Sequence, residues 1–282
     1  MTALVEALRS ASAPLLWLDD TAYTERLLGG GHTPWLDSAE YVAFRRKAHG
    51  LLRADLRAVP LMGFLRAWAA AHPALTDAMA AKSRAVYPVR TLLADEGLRA
   101  QLVETLSGLR AAFGDASLVL GLPSPRAMVT AAWQMAHGAD AAVEVGADEA
   151  DSCAVYLAEF LRSFEGCKVD ALLLEEPAGA PAMNAETLEW YQPVLNVASH
   201  YRWDVGLRLP DDVVFEGDAD AVQFAIGARA IGGAVHVSCL SEAFWAGQMP
   251  APVGPGQHHF ATVPADAVPE TVLARLSALR GT

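Results

Sequence analysis

Cysteine is scarce in this sequence. Its 282 residues hold three, Cys153, Cys167 and Cys239, widely spaced and odd in number. That excludes a disulfide framework and points to reduced thiols in a cytoplasmic protein. Positive charge is also in short supply, with 21 Lys+Arg against 33 Asp+Glu and a net charge of −12. Such a balance argues against nucleic-acid phosphate or an anionic membrane as partner. The one short basic run, Arg45-Arg46-Lys47, reads as a solvated helix face. No apolar stretch of membrane-spanning length is free of charge, and the start carries no Lys/Arg-flanked apolar run of signal type, so neither span nor leader is expected. Low-complexity linkers are absent too, which leaves no place to divide the chain.

What is present is apolar material in short, regular doses. At 53% hydrophobic the chain can bury one large core. Short apolar runs at 14–18, 56–64, 117–121, 171–174, 203–209, 221–226, 234–240 and 260–263 alternate with helical patterns. Those patterns cover a helix starting near Asp37 or Ser38, then 67–79, 89–113, 126–137, 150–164, 185–201 and 267–279. Repeated βα units imply a parallel sheet, and about eight strands suggest closure into a single-domain (β/α)8 barrel over residues 1–282.

The stretch 167–179 (CKVDALLLEEPAG) organises the rest. Its run of Ala171-Leu172-Leu173-Leu174 has the length of a strand buried on both faces, and it stops abruptly at Glu175-Glu176-Pro177. In parallel α/β sheets ligands bind at that C-terminal strand edge. The alternative is that both glutamates turn to solvent or cap the next helix. Asp19-Asp20 closes the first run in the same way, with helix capping again the alternative. Arg208, Asp211 and Asp212 surround another strand end, where a surface ion pair is the competing role. His236 and Ser238 share one strand face and Cys239 takes the other. Trp133 is a candidate platform for substrate or a packing residue.

Four of these stretches carry a family resemblance. Residues 14–18 (PLLWL), 118–125 (LVLGLPSP), 169–179 (VDALLLEEPAG) and 263–279 (VPADAVPETVLARLSAL) fall in the order seen in uroporphyrinogen decarboxylase. The same barrel superfamily holds cobalamin-independent methionine synthase and related zinc methyltransferases, whose corresponding strand ends in Asp-Glu-Pro, close to Glu175-Glu176-Pro177. The departures are as informative. The decarboxylases carry two arginines after the first strand, where this chain reads Asp19-Asp20-Thr21-Ala22-Tyr23-Thr24. The methyltransferases need a His-x-Cys pair, where this chain offers Arg208; only Cys239 falls where their later cysteine would be. By resemblance to the decarboxylases, His258 and His259, after Gly254-Pro255-Gly256-Gln257, stand where that family places a mouth histidine.

These readings set the expectations. Glu175, Glu176, Asp20, His258 and His259 are the catalytic candidates; Asp19, Arg208, Asp211, His236, Cys239 and Trp133 the substrate-binding ones. No metal and no cofactor are expected, and the partner is a small-molecule substrate, with a homodimer left open. The expected activity is a metal-independent decarboxylase or lyase other than uroporphyrinogen decarboxylase itself. Methyl transfer with a degenerate zinc site, or a non-catalytic binding barrel, are the alternatives.

Overall fold

In the computed structural model, which describes residues 3–251, 253–254 and 256–281, there are ten strands, eight of them on the short apolar runs. In chain order they are β1 (Leu16–Asp19), β2 (Ala58–Pro60), β3 (Val119–Pro123), β4 (Ala171–Glu175), β5 (Met183–Asn184), β6 (Asp204–Arg208), β7 (Phe215–Glu216), β8 (Phe224–Gly227), β9 (Val235–Cys239) and β10 (His258–Thr262). The pair β5 and β7 makes a small ladder of its own. The other eight form one parallel sheet in the order β1-β10-β9-β8-β6-β4-β3-β2. Its ends meet where Leu56 bridges Trp17 and accepts a hydrogen bond from the Leu18 amide at 3.1 Å. The sheet thus closes on itself as a (β/α)8 barrel.

Helices clothe it. Helix α1 (Ala3–Ser10) lies beneath the floor, with Leu4, Val5 and Leu8 buried and the Val5 amide donating to Asp204 Oδ2. Helices α2 (Thr21–Gly29) and α3 (Ser38–Leu52) return from β1 to β2. Four more, α4 (Leu61–Ala71), α5 (Pro73–Met79), α6 (Tyr87–Leu93) and α7 (Glu96–Phe113), make the long excursion to β3. Then α8 (Pro125–His137) and α9 (Ala147–Arg162) lead to β4, and α10 (Ala185–Glu189) with α11 (Gln192–Tyr201) to β6. Helix α12 (Glu242–Trp245) follows β9, and α13 (Pro269–Arg280) follows β10. None of the described helices is long and apolar enough to cross a membrane.

Strand alternation divides the core in two. Trp17, Val119, Leu173, Phe224, Val237 and Phe260 point inward and fill the barrel. Val59, Leu120, Leu172, Leu174, Val205 and Leu207 point outward to meet the helices. Gly206 is required by this filling, because a Cβ there would land inside the Phe224 ring.

Several boundaries differ from the sequence expectation. The run 56–64 is not one strand: pairing ends at Pro60, and Leu61, Phe64 and Leu65 repeat at helical spacing as the buried face of α4. The helix expected over 67–79 breaks before Pro73, and that over 89–113 at Asp95, whose side chain caps α7 through the Leu98 amide. The helix expected over 185–201 likewise restarts at Gln192-Pro193. The Gly29-Gly30-Gly31 stretch closes α2, with Gly30 left-handed at φ 62°. Strand β10 starts at His258, not at Phe260, which moves both histidines. Arg45 is buried, so the basic run is not a wholly solvated face; only Arg46 and Lys47 are exposed.

Candidate active site

The register puts the polar strand ends on one level. Glu175 pairs with Arg208 across β4 and β6, and Asp19 pairs with Thr262 across β1 and β10. All four face inward at the C-terminal rim, because they follow the inward positions Leu173, Gly206, Trp17 and Phe260 by two residues. Strands β6 and β1 lie on opposite sides of the barrel, and Arg208 spans the gap. Its Nη1 donates to Glu175 Oε2 at 3.1 Å and reaches Asp19 Oδ2 at 3.5 Å, while Nη2 reaches Thr262 Oγ1 at 3.5 Å. The guanidinium lies over the Phe260 ring, 4.6 Å from its centre. One cation thus serves two carboxylates.

Gly121 makes room for this arrangement, since a Cβ there would stand 3.0 Å from Glu175 Oε1. The Glu175 carboxyl is held above the ordinary carboxylate range. Burial raises it most, Asp19 adds to the rise, and Arg208 opposes it. A cavity of about 500 Å³ opens over it. Asp19, Glu175 and Arg208 form one wall of that cavity; Arg66, Thr130 and Gln134 stand on others.

Glu176 turns the other way. Its side chain is fully buried, with Oε2 accepting from Arg126 Nε at 2.6 Å and Oε1 from the Tyr191 hydroxyl at 2.8 Å. Both oxygens are engaged, so Glu176 positions the β4 end and the start of α8 rather than offering a free acid. Asp20 is likewise buried and pairs with Arg45 Nη2 at 2.9 Å. It occupies the N-cap position of α2 without a side-chain capping bond. The Asp20 and Glu176 pairs flank the cavity wall on two sides.

Cys239 ends β9 facing the mouth, beside Glu175, Arg208, Asp211 and Trp245 in an adjoining trough of about 580 Å³. Burial pushes its thiol up to about 11, with Arg208 opposing and Asp211 adding. The thiol is therefore protonated at neutral pH. Asp211 is an exposed loop residue of this trough, and Asp212 accepts from the Gly179 amide at 2.7 Å.

Four expected residues stand elsewhere. His258 and His259 are at the floor, not the mouth, because β10 starts with them. His258 Nε2 donates to Leu8 O at 2.8 Å and Nδ1 accepts from the Leu15 amide at 3.1 Å, which fixes a neutral ring; burial lowers its pKa. Pro255, in the loop before them, lies outside the described residues. His236 faces outward from β9 and bonds Gly227 O at 3.0 Å. Trp133 packs against His137 at 4.0 Å and does not line the cavity.

Arg45, Arg66, Arg126 and Tyr191 were missed by sequence reasoning. Arg126 had a signal, since it opens the helix just beyond a strand end. So did Arg45, which shares the inward helical spacing of Tyr41, Phe44 and Ala48.

The fold and its mouth define a parallel β/α barrel with a cavity at the C-terminal strand ends, its charged groups set in a mostly apolar lining. No protein-family model and no curated protein matches the chain. Among solved structures it is similar to a methyltransferase from Methanosarcina mazei, with a TM-score of 0.56 and 12% identity over 99% of this chain and 97% of that one. At that identity the likeness carries the barrel fold alone. The zinc site of the methyltransferases in the resemblance does not fit these residues. Among the described residues no group of three or more His, Cys, Asp or Glu side chains is placed to hold a metal, and the Cys239 thiol is held in its protonated form.

Proposed function

We propose that this chain is a small-molecule enzyme working at the mouth of its barrel. Glu175 is the general acid–base residue of a proton-transfer reaction of the decarboxylase or lyase type. The observation that carries this reading is Glu175 itself: an inward carboxyl under a 500 Å³ cavity, cradled by Gly121 and raised by burial. A carboxyl raised toward neutrality exchanges protons with substrate better than one ionised in water. Arg208 contributes a second property, since its guanidinium can shift between the wall acids and one substrate carboxylate. In a decarboxylation the C–C bond to that carboxylate breaks, carbon dioxide leaves, and Glu175 supplies the proton that takes its place.

The substrate carries few negative charges, because Arg208, the cation of this wall, is already engaged by Asp19 and Glu175. That speaks against a porphyrinogen with many carboxylates. Thermal-shift screening of neutral, cationic and monocarboxylate compounds, followed by product detection by NMR, tests the reading. Glu175→Gln should keep binding and lose turnover by at least about 100-fold. Undiminished turnover in that variant would remove Glu175 from the chemistry, and ligands that bind without turning over would make the barrel a binding protein.

Methyl transfer is the second reading. It is favoured by the Cys239 thiol in the same mouth and by the solved methyltransferase of similar fold. Transfer of a labelled methyl group that disappears in Cys239→Ser would install it in place of the first.

A further inference from the structure

The mouth cavity has polar groups that proton transfer at Glu175 leaves unused. Helix α4 buries Leu61, Phe64, Leu65 and Ala69, and its helical period brings Met62 and Arg66, one turn apart, to the cavity instead. Helix α8 buries Met128, Val129 and Ala132 and turns Thr130 and Gln134, again one turn apart, to the same space.

The charged side chains of the lining are Asp19, Asp20, Glu175, Glu176, Arg66 and Arg208. Asp20 is bound to Arg45 and Glu176 to Arg126, and both carboxylates are buried. Asp19 and Glu175 share Arg208. With Arg45 and Arg126 included, four acids meet four arginines, so the mouth as a whole holds no excess of positive charge. The mismatch is local. Among the described residues no carboxylate lies within ion-pairing distance of Arg66, and no hydrogen bond engages its guanidinium. The Thr130 hydroxyl and the Gln134 amide group are also without hydrogen-bond partners among those residues. Arg66 is exposed and the other two are half-buried, so a molecule in the cavity can touch all three.

We infer that the substrate carries a carboxylate at its non-reacting end, held by Arg66 with Thr130 and Gln134 beside it. Its apolar body then lies on Met62 and Leu173, and its reacting end reaches Glu175. The planar donors of a guanidinium match a carboxylate in pairs, and the hydroxyl and amide add neutral hydrogen bonds. A single unpaired arginine balances one negative charge, not the two of a phosphate ester. For a decarboxylation this makes the substrate a dicarboxylate, one group lost at Arg208 and the other kept at Arg66. The inference rests on the mouth being the substrate site, but not on Glu175 acting in the chemistry.

Titration calorimetry with sodium hexanoate, and with hexanamide as its uncharged analogue, tests it at constant ionic strength made up with chloride. Hexanoate should bind saturably, and hexanamide at least about 10-fold more weakly. Arg66→Met should weaken hexanoate at least about 10-fold. Because Arg66 makes no polar contact within the fold, that variant's unliganded Tm should stay within about 2 °C of the wild type. If it does not fold, Gln134→Leu decides in its place, with a loss of about 3-fold or more expected. Glu175→Gln should keep hexanoate binding. Turnover that survives Glu175→Gln would unseat the acid–base reading alone. Absence of hexanoate binding, equal binding of hexanamide, or hexanoate binding that is unchanged in the folded variant would each overturn the carboxylate subsite.

Discussion

Glu175 and Glu176 are neighbours in sequence with opposite roles. The peptide between them sends one carboxyl into the barrel and the other outward to Arg126 and Tyr191. Only the inward one shares its cation, Arg208, with a second carboxylate, and its titration is a measurable property. Its folded pKa lies above the ordinary value of 4.5. The folded state therefore holds this proton longer than the unfolded one as pH rises. The associated stability is fully present below about 4.5 and is lost as pH climbs through the raised folded value. Urea unfolding at a series of pH values above 4.5 should show a loss for the wild type that is shallower in Glu175→Gln. Parallel slopes would mean that the carboxyl is not raised.

At the scale of elements, the barrel strands decide what each helix and loop can contribute. Strand β6 places Asp204 at the floor, Gly206 in the middle and Arg208 at the rim, so one alternating strand serves α1, the packed interior and the mouth in turn. Its glycine is the weak point. Phe224 is fully buried and has no room to swing away from an added methyl at 206. Gly206→Ala should therefore destabilise the protein by about 1–3 kcal/mol in denaturant unfolding, whereas a cost near zero would mean the ring repacks freely. Helix α3 shows how an element hides a site from sequence reading. Three consecutive basic residues look solvated, yet the 3.6-residue period carries Arg45 inward to Asp20 while Arg46 and Lys47 stay outside.

The whole molecule is a ring of parallel pairings with one thin seam. Between β3 and β4 five residue pairs are in register, whereas β1 and the chain before β2 meet at a single bridge, Trp17 with Leu56. Hydrogen exchange should therefore be faster for the amides of Leu18 and Leu56 than for those of 171–175; equal protection would show that the seam is as firm as the rest. Much of this ring was legible in the sequence. Short apolar runs ending in acids, separated by amphipathic stretches, dictate parallel strands and helices, because only that arrangement buries a strand on both faces. The C-terminal rim position of Asp19, Glu175, Arg208 and Cys239 follows from the same pattern. What only the tertiary structure decided is which polar groups meet. Arg208 and Asp19 are 189 positions apart in sequence and join because their strands face each other across a closed barrel. His258 and His259 fell to the floor because β10 begins two residues earlier than its apolar run, and strand direction then puts its first residues at the opposite end from its last. Local sequence sets the alternation of inward and outward positions along a strand, but the start of pairing and the partner across the barrel are set by contacts distant in the chain.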